Sequence, residues 1–502
     1  DVLRRGGNAV DAAIAANAVL SVVYPPSCGL GGDAFWIVYD PRAQTTVSYN
    51  GSGRTPRAAS LDRLPNATLP ERGALSVTVP GAVRSWEDVA DAHGTRGLDE
   101  LLAPAEEYAR RGFAVTDVLS AYCAIGEPLL RAETFTERIF LAGGVPQPGD
   151  ILRNPDLAES IAAIRRGGAG AFYTGAIAQR IVDTLNQRGN LMTLEDLAAH
   201  RTERTTPVRL AWNGGELLAH GLNSQGSTLL YAVGLLAGDR AADAPLWNHL
   251  AIEAMKSALA LRDARFGDPD FGARGLEDEL DPARLRAIRA ALDPERASAR
   301  TSAADRGDTI YLCVADERGM AVSLVQSLYM GFGSGIVADG TGITLHNRGA
   351  CFSTQAGHPN LYDGAKRPMH TLSPAMFLRN GKPEIVFGTM GGDGQPQIEL
   401  QFLHQLVERG LDVQCALDAP RWIYGRPTVP GRPEIAAADT VVVESRLDGA
   451  IVDGLERRGH RIATIGPYEH LMGHAHAIVI DRKRGTLAGG ADPRADSAAL
   501  GV

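Results

Sequence analysis

The chain has 502 residues, 44% hydrophobic and 22% charged, which is enough for about three ordinary domains or one large α/β domain. Its 50 basic and 59 acidic residues give a net charge of −9, which argues against a nucleic-acid-binding protein with a basic face. The longest apolar stretch, residues 9–23, contains Asp11 and Asn17 and is too short and too polar to cross a membrane. We therefore expect neither nucleic acid nor a membrane as a partner.

The N-terminal region predicts a helix, a glycine cluster and a strand, in that order. Residues 8–23 are rich in alanine and begin at Asn8, a residue type that favours helix starts, and Pro25-Pro26 ends the helix. The glycines of GLGG (29–32) let the backbone approach a neighbour closely before a predicted strand over residues 34–39. The cluster lacks the Gly-Lys-Ser/Thr ending of a phosphate-binding loop and does not follow a strand, which argues against nucleotide binding.

The middle of the chain is predicted to be mainly helical and to end in a connector. The better helical segments are residues 101–111, 157–166, 176–188 and 247–265. Residues 272–306 are polar, rich in alanine and arginine and without aromatic residues. This composition predicts a mobile connector ahead of the next element.

A β-hairpin is predicted directly after the connector. Residues 309–315 form an apolar run, residues 316–319 (DERG) give a turn, and residues 320–327 form a second run. Further strands are predicted near residues 383–389, 440–443 and 476–481. The pattern as a whole favours an α/β protein with antiparallel strands and helices on the faces of its sheets.

Thr309 stands at the first position of the predicted hairpin. If the chain were cut before Thr309, its hydroxyl group and a new α-amino group would lie side by side. A hydroxyl is a weak nucleophile alone, but an amine with a pKa of about 7.7–8.0 can act as its base. Position alone does not require this chemistry, because a threonine at the start of an ordinary strand explains the residue too.

A series of motifs gives the chain a family resemblance. In chain order they are GGNAVDAA (6–13), GLGG (29–32), VTVPGAV (77–83), NSQG (223–226), GDPDF (267–271), DTIYLCVADERGMAVSL (308–324), GFGSGI (331–336), KRPMHTLSP (366–374), GTMGGDG (388–394), DAPRW (418–422) and GGADPR (489–494). With these motifs the chain resembles the γ-glutamyltranspeptidase superfamily of N-terminal-nucleophile hydrolases over essentially its whole length.

The resemblance implies a fold and a maturation step. The expected fold is a four-layer αββα sandwich, made as one precursor that cleaves itself between Asp308 and Thr309. The products would be a large chain, 1–308, and a small chain, 309–502, which stay associated as a heterodimer and together form one structural domain. Whether that heterodimer dimerises again stays open. The family's reaction needs no cofactor and no metal.

The resemblance also implies catalytic roles by position. Thr309 would be the nucleophile that forms an acyl-enzyme. Gly391 and Gly392 match the paired glycines whose backbone N–H groups form the oxyanion hole, where a Cβ would obstruct the reacting group. Ser327 stands where the family has a threonine that hydrogen-bonds the amino group of the nucleophile.

The predicted acyl pocket departs from the transpeptidase pattern. Ser52 stands where we align the arginine that binds the substrate carboxylate, with Arg54 two residues on. The other departures are Tyr329 for an asparagine, Arg348 for a glutamine, Cys351 for an acidic residue, and His370-Thr371 for a serine pair. Cys351 cannot neutralise a substrate ammonium group, and an ammonium buried without a partner costs several kcal/mol.

These departures predict an acyl group with a carboxylate and no α-ammonium. Arg348 supplies a planar fork that suits a carboxylate, and Arg54, Tyr329 and His370-Thr371 complete the predicted substrate site. An oxamate or glutaryl-type amide fits, as in the branch that includes oxamate amidohydrolase and cephalosporin acylases. Alternatively, Arg54 and Arg348 are structural and pair with Asp33 or Asp393.

Two other functions stay open from sequence. One is a γ-glutamyl transferase or glutathione hydrolase, which would need an ammonium partner in the pocket. The other is an uncleaved, inactive homologue that acts as a binding protein. For the amidohydrolase and for the γ-glutamyl enzyme alike, the partner is a small-molecule amide.

Metal binding and location are weakly marked in the sequence. The five cysteines are far apart and odd in number, which disfavours a disulfide framework or a thiolate metal site. His474 and His476 have the alternate spacing of two ligands on one strand face, but no third ligand is evident, so we assign no metal. The chain begins at Asp1, which suggests an incomplete N-terminus, and the cytoplasm is favoured over the periplasm.

Overall fold

The computed structural model describes residues 1–238, 243–299, 307–425 and 439–502. These residues form two compact units. The first unit comprises Asp1–Thr205, Asp308–His370 and Val502, and the second comprises Thr206–Gly307 and Thr371–Gly501. Each unit therefore combines segments from both sides of the predicted cleavage point. The division into chains 1–308 and 309–502 within one structural domain stays a prediction.

The strands in chain order are β1 (Asp33–Asp40), β2 (Thr45–Gly51), β3 (Phe113–Ala114), β4 (Ile151–Leu152), β5 (Glu203–Thr205), β6 (Val208–Trp212), β7 (Gly215–Ala219), β8 (Asp308–Ala315), β9 (Ala321–Tyr329), β10 (Ala375–Arg379), β11 (Lys382–Thr389), β12 (Trp422–Gly425), β13 (Thr440–Glu444), β14 (Arg461–Ile465), β15 (Ala475–Asp481) and β16 (Thr486–Ala491). The strands predicted near 34–39, 309–315, 320–327, 383–389, 440–443 and 476–481 are confirmed within one or two residues.

The α-helices are α1 (Ala9–Val23), α2 (Ala82–His93), α3 (Leu98–Leu101), α4 (Ala103–Arg111), α5 (Asp117–Arg131), α6 (Thr134–Phe140), α7 (Pro155–Gly167), α8 (Gly170–Tyr173), α9 (Ala176–Asn186), α10 (Leu194–Ala198), α11 (Gly226–Leu236), α12 (Ala244–Arg265), α13 (Pro282–Ala290), α14 (Gln395–Leu403), α15 (Val413–Asp418) and α16 (Gly449–Arg457). Within the described ranges, no helix is both long enough and apolar enough to cross a bilayer.

The first unit is built on a five-stranded antiparallel sheet in the order β5-β2-β1-β9-β8. Strands β1 and β9 are central and are buried along their whole length. Helices α1, α2, α4 and α7 share one apolar core with these strands. Helix α1 begins with a capping box, in which Asn8 accepts from the Asp11 N–H group and Asp11 accepts from the Asn8 N–H group.

The second unit is built on a six-stranded antiparallel sheet in the order β16-β15-β11-β10-β7-β6. A smaller sheet, β12-β13-β14, contains one parallel pair. Helix α11 is buried at every residue and packs on β6 and β7, and α14 packs on β11. Both units thus combine helices with a mainly antiparallel sheet, which confirms the predicted α/β class.

The predicted connector, residues 272–306, differs from expectation because it contains a helix. Asp281 caps α13 by accepting hydrogen bonds from two backbone N–H groups, and Pro282 occupies its first turn. The alanine and arginine content of this segment, which we interpreted as a connector, also has high helix propensity. Residues 300–306 lie outside the described part of the chain.

Candidate active site

Thr309 lies where the pairing of β8 with β9 is irregular. The register shifts by one residue between positions 308 and 310, so that β9 carries an extra residue opposite Thr309. Such a bulge bends the strand locally and re-aims a side chain. Thr309 is only 1% exposed, and its Oγ donates a hydrogen bond of 3.1 Å to Ser327 Oγ.

Ser327 joins the candidate nucleophile to the peptide bond that precedes it. Ser327 Oγ donates to the carbonyl oxygen of Asp308 at 2.7 Å. Ser327 Oγ itself accepts hydrogen bonds from Thr309 Oγ, from the Tyr329 N–H group at 2.7 Å and from Arg348 Nη2 at 3.2 Å. One hydroxyl group therefore connects Thr309, the Asp308 carbonyl and a guanidinium group.

Arg348 is a buried cation beside this hydroxyl group. Its side chain is 1% exposed, its guanidinium lies 4.3 Å from the centre of the Tyr329 ring, and its Nη1 is 3.7 Å from Cys351 Sγ. Tyr329 has a φ of +82°, which is strained for a residue with a side chain. Burial and the nearby Arg348 lower the pKa of His346 to about 3, so that imidazole is neutral.

Asp33 lies on the same face of the sheet as Ser327. The two residues are directly opposite each other in the pairing of β1 with β9, and side chains of such pairs are neighbours. Asp33 Oδ1 accepts from the Gly53 and Gly81 N–H groups at 3.3 and 3.0 Å, and Asp33 Oδ2 is 3.2 Å from His370 Nε2. The sequence suggested Asp33 only as a partner for an arginine, so its place opposite Ser327 was missed.

Close backbone packing positions the two N–H groups, of Gly53 and Gly81, that donate to Asp33. A Cβ on Gly53 would lie 1.6 Å from the Val79 carbonyl oxygen, and a Cβ on Gly81 would lie 1.9 Å from that of Gly51. Only glycine fits at either position, which gives Gly81 of the VTVPGAV motif, and Gly53 with it, a physical role. Burial raises the pKa of the carboxyl group between them, that of Asp33, to about 7, with Arg348 and the two N–H groups opposing the rise.

Arg54 contacts a different set of residues. Its Nη1 donates to the Ala365 carbonyl at 2.9 Å, and its Nη2 is 3.6 Å from Glu203 Oε1. Glu203 also binds Arg367 at 2.5 Å. The structure thus gives Arg54 the partner Glu203 and leaves its substrate-binding role a prediction.

The second unit holds Gly391, Gly392 and Thr371. The two glycines follow β11 and precede α14, with φ values of +130° and +53° that favour glycine. Gln225 Nε2 donates to the Gly392 carbonyl at 2.8 Å and to the Thr371 carbonyl at 2.7 Å. The NSQG motif therefore fixes two of the predicted site segments of this unit through one side chain.

A buried ion pair supports the same network. Arg262 Nη1 and Nη2 bind Asp393 Oδ1 and Oδ2 at 2.5 and 3.1 Å, and Nη1 also donates to Gln225 Oε1 at 2.7 Å. Asp393, which the sequence offered as a partner for Arg54 or Arg348, pairs with Arg262. Sequence analysis missed the roles of Arg262 and Gln225, although Gln225 lies within a recognised motif.

Tyr122 contacts Asp308, the residue before the candidate nucleophile Thr309. Its Oη donates to Asp308 Oδ1 at 2.8 Å. Burial, and then the negative charge of Asp308, raise the pKa of Tyr122 well above its usual value, so the phenol keeps its proton. No motif marks Tyr122 in the sequence, because α5 brings it to this position only in the folded chain.

A cluster of possible metal ligands lies in the second unit. His249, Glu253 and His460 are buried and offer ligand atoms within 4.8 Å of one another, the one such group among the residues described. The Lys256 ammonium group is 3.1 Å from Glu253 Oε1, so a cation already neutralises that carboxylate. Of the pair suggested by the sequence, His474 is buried and His476 is partly buried, and desolvation lowers the pKa of both imidazoles.

Comparisons with known proteins agree over the whole chain. The family model for gamma-glutamyltranspeptidase matches residues 1–502. The glutathione hydrolase-like YwrD proenzyme of Bacillus subtilis (strain 168) is 38% identical over 508 residues, covering 100% of this chain and 95% of that protein. The oxamate amidohydrolase proenzyme of Klebsiella pneumoniae is 35% identical over 511 residues, covering 100% of this chain and 95% of that protein.

A solved structure extends the agreement to the fold. Cephalosporin acylase from Bacillus halodurans matches with a TM-score of 0.92 and 33% identity, covering 100% of this chain and 93% of that chain. The predicted fold of the N-terminal-nucleophile hydrolase type is therefore confirmed. Because the family model and relatives above 30% identity span every residue of the sequence, the chain belongs to the gamma-glutamyltranspeptidase family of enzymes.

Proposed function

We propose that the chain is a self-processing amidohydrolase that uses Thr309 to cleave small amides with a carboxylate in the acyl group. The observation that carries this proposal is the hydroxyl chain from Thr309 through Ser327 to the Asp308 carbonyl, with the buried Arg348 beside it. The proenzyme names of the two relatives support the self-processing part.

Self-cleavage would begin with attack of Thr309 Oγ on the carbonyl carbon of Asp308, which forms a C–O bond. The Thr309 proton passes to Ser327 Oγ, whose own proton passes to the Asp308 oxygen along the hydrogen bonds of 3.1 and 2.7 Å. Collapse of the intermediate breaks the C–N bond, and the nitrogen takes up that proton. Water then hydrolyses the ester, which leaves a carboxylate on Asp308 and frees the amine and hydroxyl of Thr309.

Turnover would reuse the same atoms. The Thr309 amine takes the proton from Oγ, and Oγ attacks the carbonyl carbon of the substrate amide. The N–H groups of Gly391 and Gly392 are assigned to the oxyanion, as the family resemblance implies. The amine returns the proton to the leaving nitrogen, and water then hydrolyses the acyl-enzyme in the same way.

Arg348 supports a carboxylate in the acyl group. The guanidinium group of Arg348 is 1% exposed and lies beside Ser327, and its planar fork of N–H donors matches the geometry of a carboxylate. Oxamate and glutaryl-type amides meet this requirement. The similarity to an oxamate amidohydrolase and to a cephalosporin acylase supports the same substrate class.

One observation favours a second candidate, γ-glutamyl hydrolysis. Asp33 is a buried carboxylate near Ser327, and a substrate ammonium group requires such a partner. The Bacillus subtilis relative is named glutathione hydrolase-like. Asp33 already accepts hydrogen bonds from two backbone N–H groups and lies beside His370, so less of its carboxylate is left for a substrate ammonium group. An acyl group with a carboxylate therefore stays the first candidate.

The two chains would remain associated after cleavage. In the first unit, β1 of the large chain pairs with β9 of the small chain, and in the second unit β7 pairs with β10 in the same way. These backbone hydrogen bonds do not depend on the bond between positions 308 and 309. A heterodimer with a small-molecule amide as its substrate is therefore proposed.

Intact mass and a substrate panel test this proposal. We expect the purified wild type to consist of two fragments, the smaller beginning at Thr309, and the Thr309→Ala variant to stay whole. Matched glutaryl and γ-glutamyl p-nitroanilides, together with oxamate, then separate the two candidates. Faster hydrolysis of the γ-glutamyl compound would replace the first candidate by the second, and an uncut wild type would favour the binding-protein alternative.

A further inference from the structure

A cation lies one hydroxyl group away from the candidate nucleophile. Ser327 Oγ is 3.1 Å from Thr309 Oγ and 3.2 Å from Arg348 Nη2. The nitrogen of Thr309 is bonded to the carbon of the Asp308 carbonyl, whose oxygen is 2.7 Å from the same Ser327 Oγ. Cleavage would therefore create a titratable amine close to a guanidinium group that is always charged.

Resting on the proposed function, we propose that Arg348 is a positioning residue for the base. It lowers the proton affinity of the amino group freed at Thr309, so that this amine is unprotonated near neutral pH. A like charge disfavours the charged form of a titratable group, and an ammonium group at Thr309 would meet the Arg348 charge across a single hydroxyl. This role is separate from binding a substrate carboxylate, since it acts before substrate arrives.

Other titratable and charged groups around the site act on the same amine. The titratable or charged groups that interact with Arg348, with Asp308 or with their immediate neighbours are Tyr24, Cys28, Asp33, Tyr122, Asp308, His346, Cys351, Arg367 and His370. Burial keeps Tyr24, Tyr122 and Cys28 protonated and His346 neutral. Asp33, whose pKa burial raises to about 7, opposes Arg348 from β1 once it ionises, and Arg367 adds a positive charge on the Asp33 side. The Asp308 carboxylate, bound by Tyr122, adds a further negative charge.

The expected direction follows from these charges. An amine with a usual pKa of about 7.7–8.0 should titrate lower beside Arg348, by on the order of one pH unit for two charges a few ångströms apart at a protein-like dielectric constant. Replacing Arg348 by glutamine should raise the pKa of the amine. Replacing Asp33 by asparagine removes the opposing charge and should lower it.

The test measures the amine directly and does not need substrate. Intact mass first establishes that each variant has been cleaved before Thr309. The rate of carbamylation of the Thr309 amine by cyanate is then followed from pH 5 to pH 9 by mass spectrometry of the small chain. In parallel, the acid limb of kcat/KM, which reports free-enzyme pKa values, is measured with glutaryl and uncharged acyl anilides.

Four variants separate the proposal from a structural or binding role. We expect Arg348→Gln to move both titrations up by about one pH unit, Arg348→Lys to stay near wild type, and Asp33→Asn to move them down. Arg42→Gln, which removes an exposed guanidinium paired with Asp40, should leave the pKa of the amine unchanged. If the acid limb of the kcat/KM profile shifts with the carboxylate-bearing substrate and not with the uncharged one, Arg348 acts in substrate binding alone.

The outcomes also distinguish this inference from the proposed function. Cleavage before Thr309 with an unchanged carbamylation profile in Arg348→Gln would overturn the inference and leave the nucleophile assignment intact. A rise in the pKa of the amine in Asp33→Asn would also overturn it. A wild-type chain that is never cleaved would instead remove the proposed function, because no amine is then formed. If Arg348→Gln does not mature, the opposite shift in Asp33→Asn carries the test.

Discussion

At the scale of single residues, Ser327 and Asp33 define the environment of Thr309. Ser327 Oγ contacts Thr309 Oγ, the Asp308 carbonyl and Arg348, and Asp33 lies opposite Ser327 on the neighbouring strand. The position of Ser327 was predicted from family resemblance, whereas that of Asp33 depends on strand register. Both side chains act through polar groups that are nearly or fully buried, where each hydrogen bond matters more than at the surface.

Ser327→Ala should slow self-cleavage. The substitution removes the hydroxyl group that donates to the Asp308 carbonyl, and loss of one donor to a developing oxyanion costs roughly 10²-fold to 10³-fold in rate. A time course of intact mass after rapid purification measures the rate. Ser327→Thr keeps the hydroxyl and should mature at close to the wild-type rate; equal rates for the alanine and wild-type proteins would exclude this role.

Asp33 should make stability depend on pH in an unusual direction. Burial raises its folded-state pKa to about 7, above the unfolded value of about 3.9. The folded state then binds the proton more tightly, so its contribution to stability is complete below about pH 4 and is lost as pH rises to about 7. Relative to Asp33→Asn, the free energy of unfolding of the wild type should fall by on the order of 3 kcal/mol over this range.

Denaturant unfolding of both proteins at pH 4, 5.5, 7 and 8 measures this difference. The Thr309→Ala background keeps all samples uncleaved, so that maturation does not contribute. A difference between the two proteins that is constant with pH would show that folding does not raise the pKa of Asp33. The test is independent of catalysis.

At the scale of elements, α12 holds residues 293–298, which precede the predicted cleavage point, through side-chain contacts to their backbone. His249 Nε2 lies 2.8 Å from the Asp293 carbonyl, and Glu253 Oε2 accepts from the Ser298 N–H group at 3.1 Å. Lys256 Nζ donates to the Ser298 carbonyl at 3.0 Å and lies 3.1 Å from Glu253 Oε1. Side chains three or four residues apart on one face of α12 therefore pair with backbone groups of residues 293 and 298, which lie outside any helix or strand.

Glu253→Ala should loosen residues 293–299. The change removes the acceptor for Ser298 and leaves the buried Lys256 ammonium without this partner, a loss of about 3–5 kcal/mol in typical buried pairs. Faster hydrogen exchange over residues 293–299 is the expected readout. The double variant Glu253→Gln with Lys256→Met removes the charge imbalance and should recover most of the stability, which a simple packing defect would not.

At the scale of the whole molecule, strand pairing crosses the predicted cleavage point. Within each unit, segments before position 308 and after position 309 share one sheet. The protein therefore need not rely on a continuous backbone to keep its sheets together. Both units contain predicted site residues, with Thr309, Ser327 and Arg348 in the first and Thr371, Gly391 and Gly392 in the second.

The cleaved protein should elute as one species under native conditions. Because β1 pairs with β9 and β7 pairs with β10, the large and small chains should separate only in denaturant. Size-exclusion chromatography with mass analysis of the peak measures this, with Thr309→Ala as the uncut control. Separate elution of the two fragments in native buffer would contradict the expectation, and the same measurement gives the number of heterodimers in the particle.

The sequence by itself determined the family, the hairpin that begins at Thr309, and the helices and strands of the larger segments. These depend on local patterns, such as the capping box at Asn8 and the glycines of GLGG, which act over a few residues. It missed α13, because an alanine- and arginine-rich polar segment suits a connector as well as a surface helix.

Only the tertiary structure decided which side chains surround Thr309. Tyr122 reaches Asp308 across 186 positions of the chain, and strand register alone puts Asp33 opposite Ser327. A shift of one residue in that register would turn Asp33 to the other face of the sheet. Arg348 was predicted to bind substrate, but its contact with Ser327 arises from the fold, because no local pattern specifies a contact between residues 21 positions apart.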